Sequence, residues 1–174
     1  KSIPTKVVTE SQRNRVYETI RRETQKGHQI FIVYPIVEES DHLDVKDATH
    51  MAEHLRKEIF PQLRIGLIHG RLKVQEKNRI LEDFLGKKIQ ILVSTTVIEV
   101  GIDVPQASLM VVEHAERFGL SQLHQLRGRV GRSDTASSCI LMAQRNGTEI
   151  VRKRLKIMEE TNDGFRIAEE DLAL

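Results

Sequence analysis

A chain of 174 residues, 39% hydrophobic and 30% charged, fits one globular domain with a sizeable apolar core. Its net charge of +2 favours no class of partner, and no apolar run approaches the roughly 20 residues of a membrane span. The single cysteine, Cys139, excludes an internal disulfide and a multi-cysteine metal cage. Because it lies in an apolar run, we expect a buried hydrophobic residue rather than a reactive thiol, in an intracellular protein.

The first half of the chain alternates helical and strand patterns. Thr9, with Gln12 three residues later, resembles a capping box that opens a helix ending at Gly27. The elements predicted next are a strand over residues 29–34, a helix over 47–60, a strand over 64–68 and a helix over 73–85 that ends at Gly86. The polar, acid-rich residues 38–47 are predicted to form a surface loop.

The second half continues this alternation. It predicts strands over residues 89–93, 109–112 and 138–142, and helices over 119–126 and 148–160. A turn at Asn162-Asp163-Gly164 then precedes an acidic, helix-prone tail. The strands are nearly continuous apolar runs, as in a sheet covered on both faces. We therefore predict an α/β domain with a mostly parallel sheet flanked by helices on both faces, followed by a small helical appendage.

Ligands of such folds bind at the carboxyl ends of the strands, and here the unusual residues follow those ends. Between His114 and Ser133 lie four arginines and a single acid. Offsets of three, four and three residues place four side chains on one helical face if the helix continues through the intervening glycines: Gln122, Gln125, Arg129 and Arg132. Guanidinium groups suit bidentate phosphate binding, so the spacing favours a phosphate site over a helix end with exposed cations.

Two segments carry a resemblance to a known family. The sequence QLRGRVGR, from Gln125 to Arg132, resembles motif VI of superfamily 2 helicases, and STTVIEVGIDVP, from Ser94 to Pro105, resembles motif V. Four further stretches resemble the RecG family of bacterial branched-DNA helicases, namely YPIVEES from Tyr34, HGRL from His69, AERFGLSQL from Ala115 and DGFRIAEEDL from Asp163. The transcription-repair coupling factor Mfd shares the second half of this set and fits the first two stretches less well.

The resemblance implies a second RecA-like motor domain over residues 1–145 and the start of a translocation helical hairpin over residues 146–174. It implies a bacterial cytoplasmic, nucleoid-associated protein that acts on forked and branched DNA. ATP and Mg²⁺ would be held mainly by a first RecA-like domain, which is the implied protein partner. This chain would supply Arg129 and Arg132 to the γ-phosphate, with Gln125 coupling the nucleotide to DNA-binding groups.

The remaining site residues follow from the same resemblance. Gly101 and Asp103 match positions near the ribose and phosphates of ATP, and Glu99 either joins them or holds motif VI in place. Asp103 is equally compatible with a turn before the next proline. The expected contacts with the DNA backbone come from Thr95, Thr96, His69, Gly70 and Arg71. The two threonines could instead cap a short helix, and His69 could be structural.

The sequence contains no G-x-x-x-x-G-K-[ST] loop and no Asp-Glu box at the end of an apolar strand. We therefore predict that the isolated chain has negligible ATPase and helicase activity, and we predict no metal-ligand set within it. The alternative function is a self-sufficient module that binds nucleic acid or a protein partner without ATP. Since the chain begins without methionine, we expect it to be a piece of a longer protein.

Overall fold

The computed structural model of the protein describes residues 3–35, 42–95, 106–130, 136–143 and 149–173. Its strands are β1 (Thr5–Thr9), β2 (Gln29–Tyr34), β3 (Ile65–Ile68), β4 (Ile91–Thr95), β5 (Ala107–Val112) and β6 (Ser138–Ala143). Its helices are α1 (Arg13–Gln25), α2 (His42–His54, continued by a π-helical turn over Leu55–Ile59), α3 (Val74–Leu85), α4 (Leu120–Arg127), α5 (Glu149–Glu160) and α6 (Gly164–Ala173).

The described strands form one sheet in the order β1-β6-β5-β2-β4-β3, and every pairing is parallel. Alternate strand residues feed two hydrophobic clusters on opposite faces. Phe31 and Leu92 join residues of α3, α4, α5 and α6 on one face, whereas Ile30 and Ile91 join residues of α1 and α2 on the other. The predicted α/β class, the parallel sheet and the C-terminal helices are confirmed.

Local signals fixed several boundaries correctly. The backbone N–H of Thr9 donates to Oε1 of Gln12 at 3.1 Å, as predicted, and this capping contact opens a 3-10 turn over Glu10–Gln12 that leads into α1. Helix α1 ends at Gln25, shortly before the predicted Gly27, which has a φ of +84°. Cys139 is buried, as predicted, and burial raises the pKa of its thiol to about 12.

Other boundaries differ from the prediction. The loop predicted over residues 38–47 is wrong for residues 42–47, which belong to α2; the apolar repeat begins only at Ala48, so periodicity could not detect the polar first turns. The strand predicted over residues 89–93 is shifted to Ile91–Thr95, since the N–H groups of Gln90 and Ile91 both donate to the Arg64 carbonyl before the ladder begins. The edge strand β1, with Lys6 inside it, was not predicted.

The end of α3 places a lysine where glycine is usual. Gly86 caps the helix with a φ of −81°, whereas Lys87 has a φ of 62°. The N–H of Lys87 donates to the Phe84 carbonyl at 3.0 Å and that of Lys88 to the Asp83 carbonyl at 2.8 Å, which is the hydrogen-bond pattern of a Schellman motif. A residue with a Cβ pays about 1 kcal/mol or more for this left-handed conformation.

We predict that Lys87→Gly raises the free energy of unfolding by about 0.5–1 kcal/mol, because glycine adopts the left-handed conformation without steric cost. The neighbouring exposed lysine gives a matched control: Lys88→Gly should lower stability, since the φ of Lys88 is not positive. Urea unfolding of both variants makes the comparison. Equal destabilisation by the two substitutions would contradict the assignment.

Candidate nucleotide and nucleic-acid site

Two of the predicted segments meet at the carboxyl edge of the sheet. Strands β3 and β4 are hydrogen-bonded neighbours, with Ile68 opposite Ser94. The segment His69-Gly70-Arg71 directly follows β3, and Thr95 is the last residue of β4. The structure therefore brings these two predicted DNA-contacting segments together, whereas the arginine segment follows β5, on the other side of β2 in the strand order.

His69 shapes the turn that follows β3. Its Nδ1 accepts a hydrogen bond from the backbone N–H of Arg71 at 3.2 Å, and its carbonyl accepts one from the N–H of Leu72 at 3.2 Å. Burial, helped by the charge of Lys77, lowers the pKa of His69, which favours the neutral imidazole that this accepting role requires. Gly70 and Arg71 are exposed on this turn.

Thr95 is more buried than a residue that contacts DNA at the surface would be. Its side chain is 1% exposed, and its hydroxyl donates to the Ile68 carbonyl at 3.5 Å, the outer limit of a hydrogen bond. The hydroxyl thus faces β3 in this structure. Its contact with DNA stays a prediction.

The arginine segment is only partly helical. Helix α4 ends at Arg127, and the N–H groups of Arg129 and Val130 donate to the carbonyls three residues earlier, at 2.9 and 3.4 Å. The condition for one shared helical face, a helix that continues through Gly128, is therefore not met, because the chain changes to a turn after Arg127. Gln125 is exposed on α4, Arg129 is half-buried in the turn, and Val130 anchors the turn in the core.

One of the four arginines is buried and supports the fold. Arg127 is 2% exposed, and it donates to the Met158 carbonyl at 2.7 Å, the Thr161 carbonyl at 3.0 Å and Oγ1 of Thr5 at 3.1 Å. Burial lowers its pKa. The count of four arginines in this segment therefore overestimates the positive charge that is available to a phosphate. The sequence contains a signal for this burial, because Arg127 lies seven residues after Leu120, on the apolar face of the helix.

A buried ion pair at the same edge of the sheet was not predicted. Glu113, the residue after β5, is 3% exposed, and its carboxylate accepts two hydrogen bonds from the Arg13 guanidinium at 2.7 and 2.9 Å. His114 then turns the chain with a φ of 49°, and a 3-10 turn over Ala115–Arg117 leads into α4. The pair thus fixes the segment from which the arginine helix starts. The sequence signal for this ion pair is an acidic residue directly after a buried strand.

The other predicted site residues lie outside the described part of the chain. These are Thr96, Glu99, Gly101 and Asp103 of the motif V segment, and Arg132 of the motif VI segment.

Within the five described ranges, no group of three or more His, Cys, Asp or Glu side chains is arranged to hold a metal ion. No helix in the described part of the chain combines the length and apolarity needed to cross a membrane.

Comparison with known proteins identifies a family. Residues 11–134 match the model of the helicase conserved C-terminal domain. The chain is 53% identical over 172 residues to the ATP-dependent DNA helicase RecG of Synechocystis sp. and 52% identical over 172 residues to that of Thermotoga maritima. Each alignment covers 99% of this chain, but only 21% and 22% of the relative. The chain therefore spans about a fifth of the length of these relatives.

Solved structures agree with this result. RecG bound to a three-way DNA junction superposes with a TM-score of 0.81 at 48% identity, covering 99% of this chain and 22% of that one. The C-terminal domain of the DEAD-box protein Dbp5 superposes with a TM-score of 0.62 at 19% identity, covering 92% of this chain and 83% of that one, which supports the fold alone. The resemblance to RecG stated from the motifs is confirmed.

We predict that Arg127→Met lowers the free energy of unfolding by about 2–4 kcal/mol, because it leaves the buried carbonyl of Met158 and the partly buried carbonyl of Thr161 without their donor. Arg129→Met, two residues away and half-buried, is the matched control and should cost less. Urea unfolding of the chain measures both. A larger loss for Arg129→Met would show that Arg127 is not the anchor.

Proposed function

The chain belongs to the family of helicase conserved C-terminal domains, and we propose that it is the second motor domain of an ATP-dependent helicase that remodels branched DNA, such as forks and Holliday junctions. The observation that carries the proposal is the likeness of nearly the whole chain to RecG bound to a three-way DNA junction. In this proposal, residues 1–145 form the motor domain and residues 146–174 begin a translocation hairpin, in a protein of the bacterial cytoplasm associated with the nucleoid.

The arginines act on a nucleotide that another domain binds. We assign Arg129 and Arg132 to the γ-phosphate, where guanidinium groups stabilise the charge that develops during phosphoryl transfer. Gln125 is exposed on α4, four residues before Arg129, and couples the nucleotide to the DNA-binding groups. The orientation of α4 supports this role, because Arg127 is buried in the domain while Gln125 faces solvent.

The motif V segment completes the nucleotide site in this proposal. Gly101 allows close approach of the backbone to the nucleotide, and the carboxylate of Asp103 accepts a hydrogen bond from a ribose hydroxyl. Glu99 supports these two residues. ATP and Mg²⁺ are held mainly by the first motor domain, which carries the phosphate-binding loop and the magnesium-holding acid.

The carboxyl edge of β3 and β4 contacts the DNA backbone in this proposal. Arg71 pairs with a phosphate, Gly70 permits close approach of the strand, and His69 keeps the turn in shape. Thr95, which is 1% exposed in this structure, joins this contact only when it becomes accessible and its hydroxyl exchanges the Ile68 carbonyl for a phosphate. Thr96 follows it in the chain.

The test separates nucleotide chemistry from DNA binding in a protein that joins this chain to its first motor domain. Arg129→Ala and Arg132→Ala should each lower the DNA-stimulated kcat for ATP hydrolysis at least about 100-fold, as for other arginine fingers, with little change in DNA affinity. Arg71→Ala is the crossed control. It should weaken DNA binding and reduce its salt dependence by about one phosphate contact while leaving kcat at saturating DNA nearly unchanged.

Two outcomes would overturn the assignment. If Arg129→Ala and Arg132→Ala weaken DNA binding as much as they slow turnover, these arginines are DNA contacts. If the isolated chain hydrolyses ATP with DNA at an appreciable rate that Arg132→Ala abolishes, it carries a complete site of its own and the half-site proposal fails.

A further inference from the structure

A basic groove lies beside the edge strand β1, on the face of the sheet that α1 covers. Lys6 shares with the buried Val8 the face of β1 that packs towards α1. Arg15 and Arg22 are seven residues apart, so they lie on one face of α1. The three cations are exposed and line one groove of about 430 Å³, which we call the α1 groove, together with Asn14, Glu18 and Thr19.

The positive charge of the α1 groove is not neutralised by neighbouring acids. Each acidic side chain of α1 and of the 3-10 turn before it forms an ion pair with a different cation, namely Glu10 with Arg13, Glu18 with Arg21 and Glu23 with Lys26. Within the described ranges, no ion pair involves Lys6, Arg15 or Arg22. A groove lined by charges of one sign attracts ligands of the opposite sign.

Two hydrogen bonds orient the side chain of Arg22. Its Nη2 donates to Oγ1 of Thr19 at 3.3 Å, and that hydroxyl donates to the Arg15 carbonyl at 3.0 Å. A guanidinium has five N–H donors, so this contact leaves most of them for a ligand. Planar guanidinium groups bind phosphate oxygens in a bidentate manner, which makes phosphate the anion that fits best.

The residues that line the α1 groove favour a phosphate backbone over exposed bases. None of the described lining residues is aromatic, whereas proteins that bind single strands stack the bases on aromatic rings. Arginine, lysine and asparagine side chains donate to phosphate oxygens without reading the base sequence. The ligand chemistry that fits is therefore the backbone of a nucleic-acid duplex.

The α1 groove is remote from the DNA contact assigned to Arg71. The Arg71 turn follows β3, and β3 and β1 are the two outer strands of the sheet. Five strand spacings of about 4.8 Å place these two edges about 24 Å apart. One phosphate cannot contact both surfaces, so a ligand of the α1 groove is a different part of the DNA.

We propose that the α1 groove binds the phosphate backbone of a second duplex arm of branched DNA, with Lys6, Arg15 and Arg22 each neutralising one phosphate. The inference rests on the proposed function, because only a branched substrate presents a second arm. The contact increases the affinity for a junction independently of its sequence and takes no part in the nucleotide chemistry.

The test measures the binding of a three-way DNA junction and of a linear duplex to the two-motor protein over a range of salt concentrations. A triple variant removes the three cations by the substitutions Lys6→Gln, Arg15→Gln and Arg22→Gln. We expect its affinity for the junction to fall at least about tenfold at about 0.1 M salt. The log–log salt slope should become shallower by about 2.7, which is about 0.9 for each lost phosphate contact.

Two further readouts separate the second arm from the motor. The affinity of the triple variant for the linear duplex should change less than about threefold, because a single arm occupies the edge that carries Arg71. Its kcat for ATP hydrolysis at saturating junction should equal that of the unsubstituted protein, since the α1 groove does not contact the nucleotide.

A matched control removes the same net charge from exposed residues outside the α1 groove, by Lys57→Gln, Lys87→Gln and Lys88→Gln. Its salt slope for the junction should change by less than one phosphate contact. The double variant Arg15→Lys with Arg22→Lys keeps the charges, so it should keep the slope, because counterion release depends on charge. Urea unfolding of every variant confirms that the fold is retained.

Three outcomes would overturn the proposal. Unchanged affinity and salt slope for the junction in the triple variant would show that the α1 groove binds no DNA. An equal loss in the matched control would reduce the effect to net charge, and an equal loss for the linear duplex would place both surfaces on one arm.

The proposed function fails in a different way from this inference. Failure of the unsubstituted two-motor protein to bind the junction, or full turnover in Arg129→Ala, overturns the proposed function. Normal junction binding by the unsubstituted protein, with no effect of the triple variant, overturns only the second-arm contact.

Discussion

Because all six described strands run parallel, their carboxyl ends lie at one edge of the sheet, and both faces are covered by helices. The edge is consequently the part of the sheet that stays open to ligands. The described residues of chemical interest follow this constraint. The His69 turn follows β3, Thr95 ends β4, and Glu113 follows β5. Their common position at strand ends brings segments that are far apart in the sequence to one edge of the sheet.

The second constraint is that contacts at both ends of α4 fix this helix in place. A buried guanidinium is tolerated only where its donors are satisfied, and Arg127 meets this condition with two backbone carbonyls and a hydroxyl. Asp171 satisfies the opposite end of the same helix. Contacts at both ends of α4 hold in place the turn that follows it. Under the proposed function, this preorganisation favours the charge stabilisation that a phosphoryl-transfer transition state requires. Arg127 thus holds the segment, and Arg129 lies in the turn that follows it.

The sequence alone predicted the sheet and most helices because the buried strands are nearly continuous apolar runs, a signal that survives without tertiary information. It missed β1, a short edge strand interrupted by Lys6, and it did not predict that Arg127 is buried. The cap from Asp171 joins residues 51 positions apart, and no local pattern encodes such a contact. The candidate site residues came from motif resemblance. The condition that would place them on one helical face is not met, because α4 ends before Gly128.

The central claim is that this domain completes a nucleotide site that another domain begins. The most direct measurement is a structure of the two-motor protein with forked DNA and an ADP–metal fluoride complex that mimics the transition state. The account predicts guanidinium nitrogens of Arg129 and Arg132 within about 3 Å of the fluoride ligands, with Arg71 on a DNA phosphate. Guanidinium groups of Arg129 and Arg132 bound to DNA phosphates, or directed away from an occupied nucleotide site, would contradict it.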